Sequence, residues 1–279
     1  MIRLACLVLV LAACEPAHPA APAAHRHAAA RTRAIELSIA RVEQEGWTGR
    51  VVRAQVPLSG HRLRVIGSDR PRPLAEIVAQ SPPPRPFAAI CGGFYDLEGR
   101  AMGLVIADGR TLSPKTEQGG RGIFFYETGR ADIVHRDAFE ERPAIDQALQ
   151  SIDRLVDEGA NLVATTASQR RAARSAVAID RSGDVFLVVA FDERAIATAT
   201  DAEIQLDEDS SRTGPTLWQM AELLRAPPAE GGVSALRALG LDGGVATSMM
   251  FKSEARSLSV IAHRATIGAI VAFREPGDR

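Results

Sequence analysis

Apolar and polar positions along this chain alternate mostly with a period of two, in short runs separated by turn residues. Residues 50–56 set Val51, Val52, Ala54 and Val56 among Arg50, Arg53 and Gln55, and 63–66 follow as Leu-Arg-Val-Ile; both predict strands. Residues 73–79 predict a short helix with Pro in its first turn, ended by Pro82-Pro83-Pro84. Residues 87–91 are an apolar run that reads as a buried strand feeding Gly92-Gly93. Asp108-Gly109 and Thr128-Gly129 each divide two strand-like runs, 102–106 from 110–112 and 122–126 from 131–135, as hairpin turns do. Residues 143–155 carry helical spacing. Residues 175–180 and 185–191 predict strands around Ser182-Gly183. Residues 198–214 are polar and acidic and read as a solvated excursion, with carboxylates enough to leave calcium open. Residues 216–225 predict a helix, with Leu217, Met220, Ala221 and Leu224 on one face. A further helix is expected over 234–239, then a brief buried strand over 239–241. Strands over 257–262 and 267–273 close the chain. Hairpins outnumber βαβ units, so the expected fold class is α+β: a mixed, largely antiparallel sheet with packed helices in a single domain.

The N-terminus changes the picture of where such a domain works. Arg3 precedes an uncharged aliphatic run, 4–13, too short for a bilayer span of about 20 apolar residues. It reads as a signal peptide over 1–13. The run ends Leu11-Ala12-Ala13-Cys14, which resembles the lipobox of bacterial lipoproteins and implies lipidation of Cys14. Glu15 at the next position resembles an outer-membrane address. Residues 14–34 are then a lipidated Cys and an Ala/Pro/His tether, too poor in apolar bulk to fold; His18, His25 and His27 read as spacer rather than metal site. The expected location is the bacterial cell envelope, lipid-anchored at the outer membrane and facing the periplasm or the surface. The membrane is met through the lipid only. The domain spans 35–279, with no second linker.

Composition removes several function classes. Net charge is −1, and Lys115 and Lys252 are the only lysines. No basic footprint for nucleic acid exists, although arginine suits bidentate phosphate contacts. Cys6 leaves with the leader and Cys14 carries lipid, so Cys91 alone remains and no intramolecular disulfide is available. There is no paired-Cys zinc motif and no His-Glu-x-x-His. His61, His135 and His263 stand isolated and read as surface or core histidines. Gly119-Gly120-Arg121-Gly122 lacks the Lys-Ser/Thr of a phosphate-binding loop, and no Gly-x-Ser-x-Gly elbow is present.

What remains is a set of four segments in which an apolar run delivers small or charged residues to a turn. They are Cys91-Gly92-Gly93-Phe94-Tyr95-Asp96, Gln150-Ser151-Ile152-Asp153-Arg154-Leu155-Val156, Arg171-Ala172-Ala173-Arg174-Ser175-Ala176-Val177 and Leu241-Asp242-Gly243-Gly244-Val245-Ala246-Thr247. Glycine pairs at strand ends let a ligand approach the backbone. Asp96 and Asp242 supply carboxylates, and Arg154, Arg171 and Arg174 supply positive charge. Glycosyl transfer to water commonly uses two carboxyl groups, and a phosphate leaving group needs cations to absorb its charge.

In this order the segments resemble the phosphodiester glycosidase family, whose pattern runs Asn-Gly-Gly-Phe-Phe-Asp, Gln-Ser-Gly-Pro, an Arg-rich turn into a strand, and Leu-Asp-Gly-Gly-Gly-Ser-Thr. The helix at Thr216-Leu217-Trp218-Gln219 also matches, so the resemblance covers about residues 50–273. It implies an envelope hydrolase that cleaves the C1–oxygen bond of a sugar-1-phosphodiester, giving free sugar and a phosphomonoester. Asp96, Arg174 and Asp242 would be catalytic. Gly92, Gly93, Gln150, Ser151, Arg154, Arg171, Gly243, Gly244 and Thr247 would bind substrate. The partner would be a glycan phosphodiester or envelope polysaccharide. No cofactor is required by any motif, and a divalent cation is left open. Three departures stand out: Cys91 replaces the Asn, Ile152-Asp153 the Gly-Pro, and Val245-Ala246 the Gly-Ser. They admit an alternative, a catalytically degenerate domain that binds anionic envelope glycan or a protein partner.

Overall fold

Strand Trp47–Val56 is covered on both faces: Trp47 and Val51 are buried on one face and Val52, Ala54 and Val56 on the other, while Thr48, Arg50, Arg53 and Gln55 are half-buried. It pairs antiparallel with Glu36–Gln44 on one side and Val185–Asp192 on the other. The computed structural model describes residues 33–165, 170–261 and 264–274, all within one compact unit. The leader, Cys14, the tether up to residue 32 and His263 lie outside the described residues, while Arg33, at the end of the expected tether, donates to Asp184.

Three sheets make up the described structure. The first continues from Val185–Asp192 through Arg174–Ile179, Arg237–Gly240 and Arg154–Asp157 to the short strand Ala160–Asn161. The second runs Ile196–Ala199, Glu203–Leu206, Ser257–Ile261, Met249–Lys252, Ala88–Cys91, Thr266–Arg274 and His61–Arg72. The third runs Arg110–Ser113, Val105–Ala107, Ile145–Ser151, Gly122–Glu127 and Arg130–His135. Every pairing is antiparallel except that of Glu203–Leu206 with Ser257–Ile261.

One core joins all three sheets, with Val177 and Leu187 from the first, Ile90 and Ile270 from the second, and Phe124 and Leu149 from the third. On the outer face of the first sheet, helix α2 (Leu217–Arg225) seats Met220, Leu223 and Leu224 against Val51, Val188 and Ala190. Each such side chain contributes about 1.5–3 kcal/mol by burial. Both faces of Val185–Asp192 are thus covered, which is why that strand reads as an unbroken apolar run. Helix α1 (Leu74–Ala79) packs Leu74 and Ile77 on Ala89, Ala269 and Val271.

The α+β expectation is overturned. The protein is mostly β, and α1 and α2 are the only α-helices among the described residues. Residues 143–155 form strand Ile145–Ser151 and enter Arg154–Asp157 rather than a helix. Ile145–Ser151 lies between Val105–Ala107 and Gly122–Glu127 and is buried almost throughout. A strand covered on both faces loses its polar alternation, so its spacing resembles a helix. The helix expected over 234–239 is absent too: Ser234 has φ +51°, outside helical geometry, and the strand Arg237–Gly240 follows. Residues 198–214 are no solvated excursion, because Ile204 and Leu206 are buried and the segment pairs into the second sheet.

Other expectations match. α2 opens on Thr216, whose side chain and Gln219 form a reciprocal capping box. The turns at Asp108-Gly109 and Thr128-Gly129 have positive φ at both residues, Asp108 at +49° and Thr128 at +45°, as two-residue hairpins require.

Candidate active site

The four segments meet where the first and second sheets abut. Backbone hydrogen bonds stitch them together. Asp242 N donates to Gly92 O at 3.0 Å, Leu241 N to Ser175 O at 2.8 Å, Gly244 N to Ala173 O at 2.7 Å, and Gly240 N to Asp153 O at 2.8 Å. Gly92 is one tight point. A Cβ there would stand 2.8 Å from Gly268 O, so only glycine lets the two backbones close.

Above this seam lies a cleft of about 400 Å³. Arg174 and Asp242 line it, together with Asp153, Phe94, Ser211 and Leu217 at the start of α2. Arg174 is aimed by Nε donating to Pro215 O at 3.3 Å and a terminal nitrogen donating to Arg170 O at 2.7 Å. Burial, aided by Arg170, lowers its pKa to about 10, and Asp153 opposes the drop; the guanidinium stays charged at neutral pH. Asp242 Oδ1 accepts its neighbour Gly243 N at 2.9 Å. Burial pushes its carboxyl up to about 7, against that one hydrogen bond. Asp153 is also raised by burial, countered by Arg121 and Arg174.

Cys91 is buried in the seam. Its Sγ lies 3.1 Å from Ser175 Oγ and 3.2 Å from Asp242 O, and burial pushes the thiol up to about 11. It is fully buried and outside the cleft lining, as is Ala246. Of the three departures from the family pattern, Cys91 therefore lies wholly outside the cleft lining, while Val245 lines the cleft and its neighbour Ala246 is buried behind it. Ile152 and Asp153 both line it.

Of the other residues expected at the site, Gly243 and Gly244 line the cleft. Ser151 and Thr247 have buried hydroxyls without a hydrogen-bond partner. Gly93 packs against Gln150 O. Four residues are committed elsewhere. Asp96 accepts Arg100 N at 2.8 Å and Arg100 Nε at 2.9 Å, clamping its own turn outside the cleft lining. Arg154 is paired with Asp157. Arg171 donates to Gly214 O, Gln219 Oε1 and Glu45 O, tying α2 to the first hairpin. Gln150 accepts from Leu104 N and Thr116 N and donates to Thr116 O and Gly120 O, which saturates its amide. Asp153, Phe94 and Ser211 were not anticipated. Asp153 was visible in the sequence only as a break in the Gly-Pro pattern.

Among the described residues no three His, Cys, Asp or Glu side chains gather as a metal ion would need. The calcium reading of residues 198–214 finds no such set; Asp207 Oδ1 there accepts Asp209 N at 2.9 Å as a local cap.

The fold is shared with solved structures at low identity. The zebrafish N-acetylglucosamine-1-phosphodiester alpha-N-acetylglucosaminidase catalytic domain, auto-inhibited by its pro-peptide, superposes with a TM-score of 0.61 at 15% identity, covering 88% of this chain and 85% of that one. A hypothetical protein from Synechocystis gives 0.57 at 16%, covering 86% and 62%. A putative exported protein from Burkholderia pseudomallei gives 0.51 at 10%, covering 81% and 74%. No curated protein sequence matches. The family model described as phosphodiester glycosidase matches residues 86–272. That span holds both sheet ends that build the cleft and covers more than half of the chain, which belongs to the phosphodiester glycosidase family.

Proposed function

We propose that the protein hydrolyses a sugar-1-phosphodiester in the bacterial cell envelope, breaking the bond between C1 and the bridging oxygen. The observation that carries this reading is the pairing, in one cleft, of a half-buried arginine with a carboxyl that titrates near neutrality. Arg174 holds the phosphate and absorbs the charge that grows on it as the bond breaks. A phosphomonoester is a good leaving group and needs little help from an acid. Asp242 is therefore assigned as the base: its carboxylate takes a proton from the water that attacks C1. The zebrafish relative acts on N-acetylglucosamine-1-phosphodiesters, which makes that sugar the first to try. The Leu11-Ala12-Ala13-Cys14 stretch supports a lipid anchor.

The reading is tested by incubating purified protein with a panel of sugar-1-phosphodiesters, with and without chelator, and measuring free sugar. Release from at least one supports it. Binding without release from any would leave the degenerate glycan-binding alternative in its place.

A further inference from the structure

A second hollow lies against the cleft and shares Ile152 and Asp153 with it. Its remaining walls include Glu117, Arg121, His135 and Arg136. The wall is built on a fixed floor. The saturated amide of Gln150 pins the loop at Thr116 and Gly120. Gly120, at φ +98°, lies so close to the Ile152 backbone that no side chain fits between them. Arg121 N donates to Ile152 O at 3.0 Å.

The basic side chains of this hollow differ in what they hold. Arg136 is occupied, with Nε on Asp137 Oδ1 at 3.0 Å and a terminal nitrogen on Glu117 O at 3.3 Å. His135 Nδ1 accepts Asp137 N at 3.2 Å. Arg121 is exposed, and its guanidinium has no hydrogen-bond or ion-pair partner among the described residues. Asp153, at the boundary, feels Arg174 from the cleft and Arg121 from the hollow.

We infer that the hollow is the subsite for the aglycone, and that it selects an aglycone carrying a second negative charge, which Arg121 receives. The inference rests on the glycosidase reading above. With the phosphate on Arg174, a ligand that continues past Asp153 enters this hollow, and its free cation is the Arg121 guanidinium. A carboxylate or phosphate there gains a charge-assisted contact, while a neutral aglycone gains none.

Two probes of equal size isolate that charge: N-acetylglucosamine-1-phosphate esterified to glycerol, and to glyceric acid. The readout is the ratio of kcat/KM for the acid over the alcohol, in wild type, Arg121→Gln and Arg121→Glu. A ratio is insensitive to the folded fraction. The ratio should favour the acid by about fivefold, as one partly exposed ion pair allows, and shrink as salt rises. It should approach one in Arg121→Gln and invert in Arg121→Glu. Turnover of both probes at equal rates, or a preference that survives Arg121→Gln, overturns the subsite. If neither probe is turned over, the same ratio is read from calorimetric dissociation constants. Preference without turnover overturns the glycosidase reading alone, and binding without preference, or no binding at all, overturns the subsite as well.

Discussion

Replacing Asp242 with Asn should make the protein more stable at neutral pH while removing its activity. The carboxyl titrates at about 7 in the fold against a reference value of 3.8. A raised folded value means that the folded protein holds the proton more tightly than the unfolded chain. Its stabilising effect is complete below the unfolded value and is lost as pH rises through about 7. Each pH unit between the two values corresponds to about 1.4 kcal/mol, so an unscreened shift would amount to about 4 kcal/mol. Asp242 is half-buried and its cleft is open to water, and such screening leaves about 1–2 kcal/mol. Asn keeps an oxygen for Gly243 N and carries no charge, so the variant escapes the penalty. Urea unfolding of both proteins at pH 4 and pH 8, which together nearly span the two titration values, measures it. The variant should gain about 1–2 kcal/mol over wild type between the two pH values, and comparing variant with wild type cancels every other titrating group. In parallel, kcat/KM of wild type should fall about tenfold per pH unit below about 7, because the base must be ionised, and Asp242→Asn should lose about 10²–10⁴-fold. A stability difference that does not change with pH, or a wild-type rate that is flat through pH 7, would refute the assignment of Asp242.

Arg174→Ala should lower kcat/KM for phosphodiesters by orders of magnitude, the usual cost of removing a cation from a developing charge. Its melting temperature should drop only slightly, since the lost contacts are two carbonyl hydrogen bonds at the cleft wall. Gln150→Ala should behave in the opposite way. It unmakes four hydrogen bonds under the 116–120 loop and should cost about 2–4 kcal/mol in thermal unfolding through the backbone groups left without partners. Cys14→Ser should release the protein from membranes or block its processing, and unchanged partitioning into detergent would defeat the lipid-anchor proposal.

The local features of the fold were legible where the chemistry of a few neighbouring residues decides them. Thr216 and Gln219 announce the start of α2, and Asp108-Gly109 announces a hairpin. What misled was burial on both faces. Ile145–Ser151 carries no outward polar face to betray its period, and its strand character comes from neighbours far away in sequence. The site divided along a similar line. Arg174 and Asp242 end buried strands and have nowhere to point but the seam between sheets. Asp96, Arg154, Arg171 and Gln150 belong to the same recurring segments, yet each found a partner closer than the cleft. A motif fixes which residues travel together. Which of them reaches the ligand and which supports the wall depends on partners that the motif does not contain.

The seam also sets when in the life of the chain activity can appear. Cys91 and Asp242 touch across 151 positions of sequence, and strands from both ends of the domain must pair before either is placed. Contacts of that span carry the loop-closure cost early and return stability late, so such topologies fold slowly. A fragment that lacks either residues 91–94 or residues 240–245 lacks part of the cleft lining. Catalytic competence is in this sense a report on completed folding. If the proposed activity and export both hold, that activity would stay silent until the whole domain has closed.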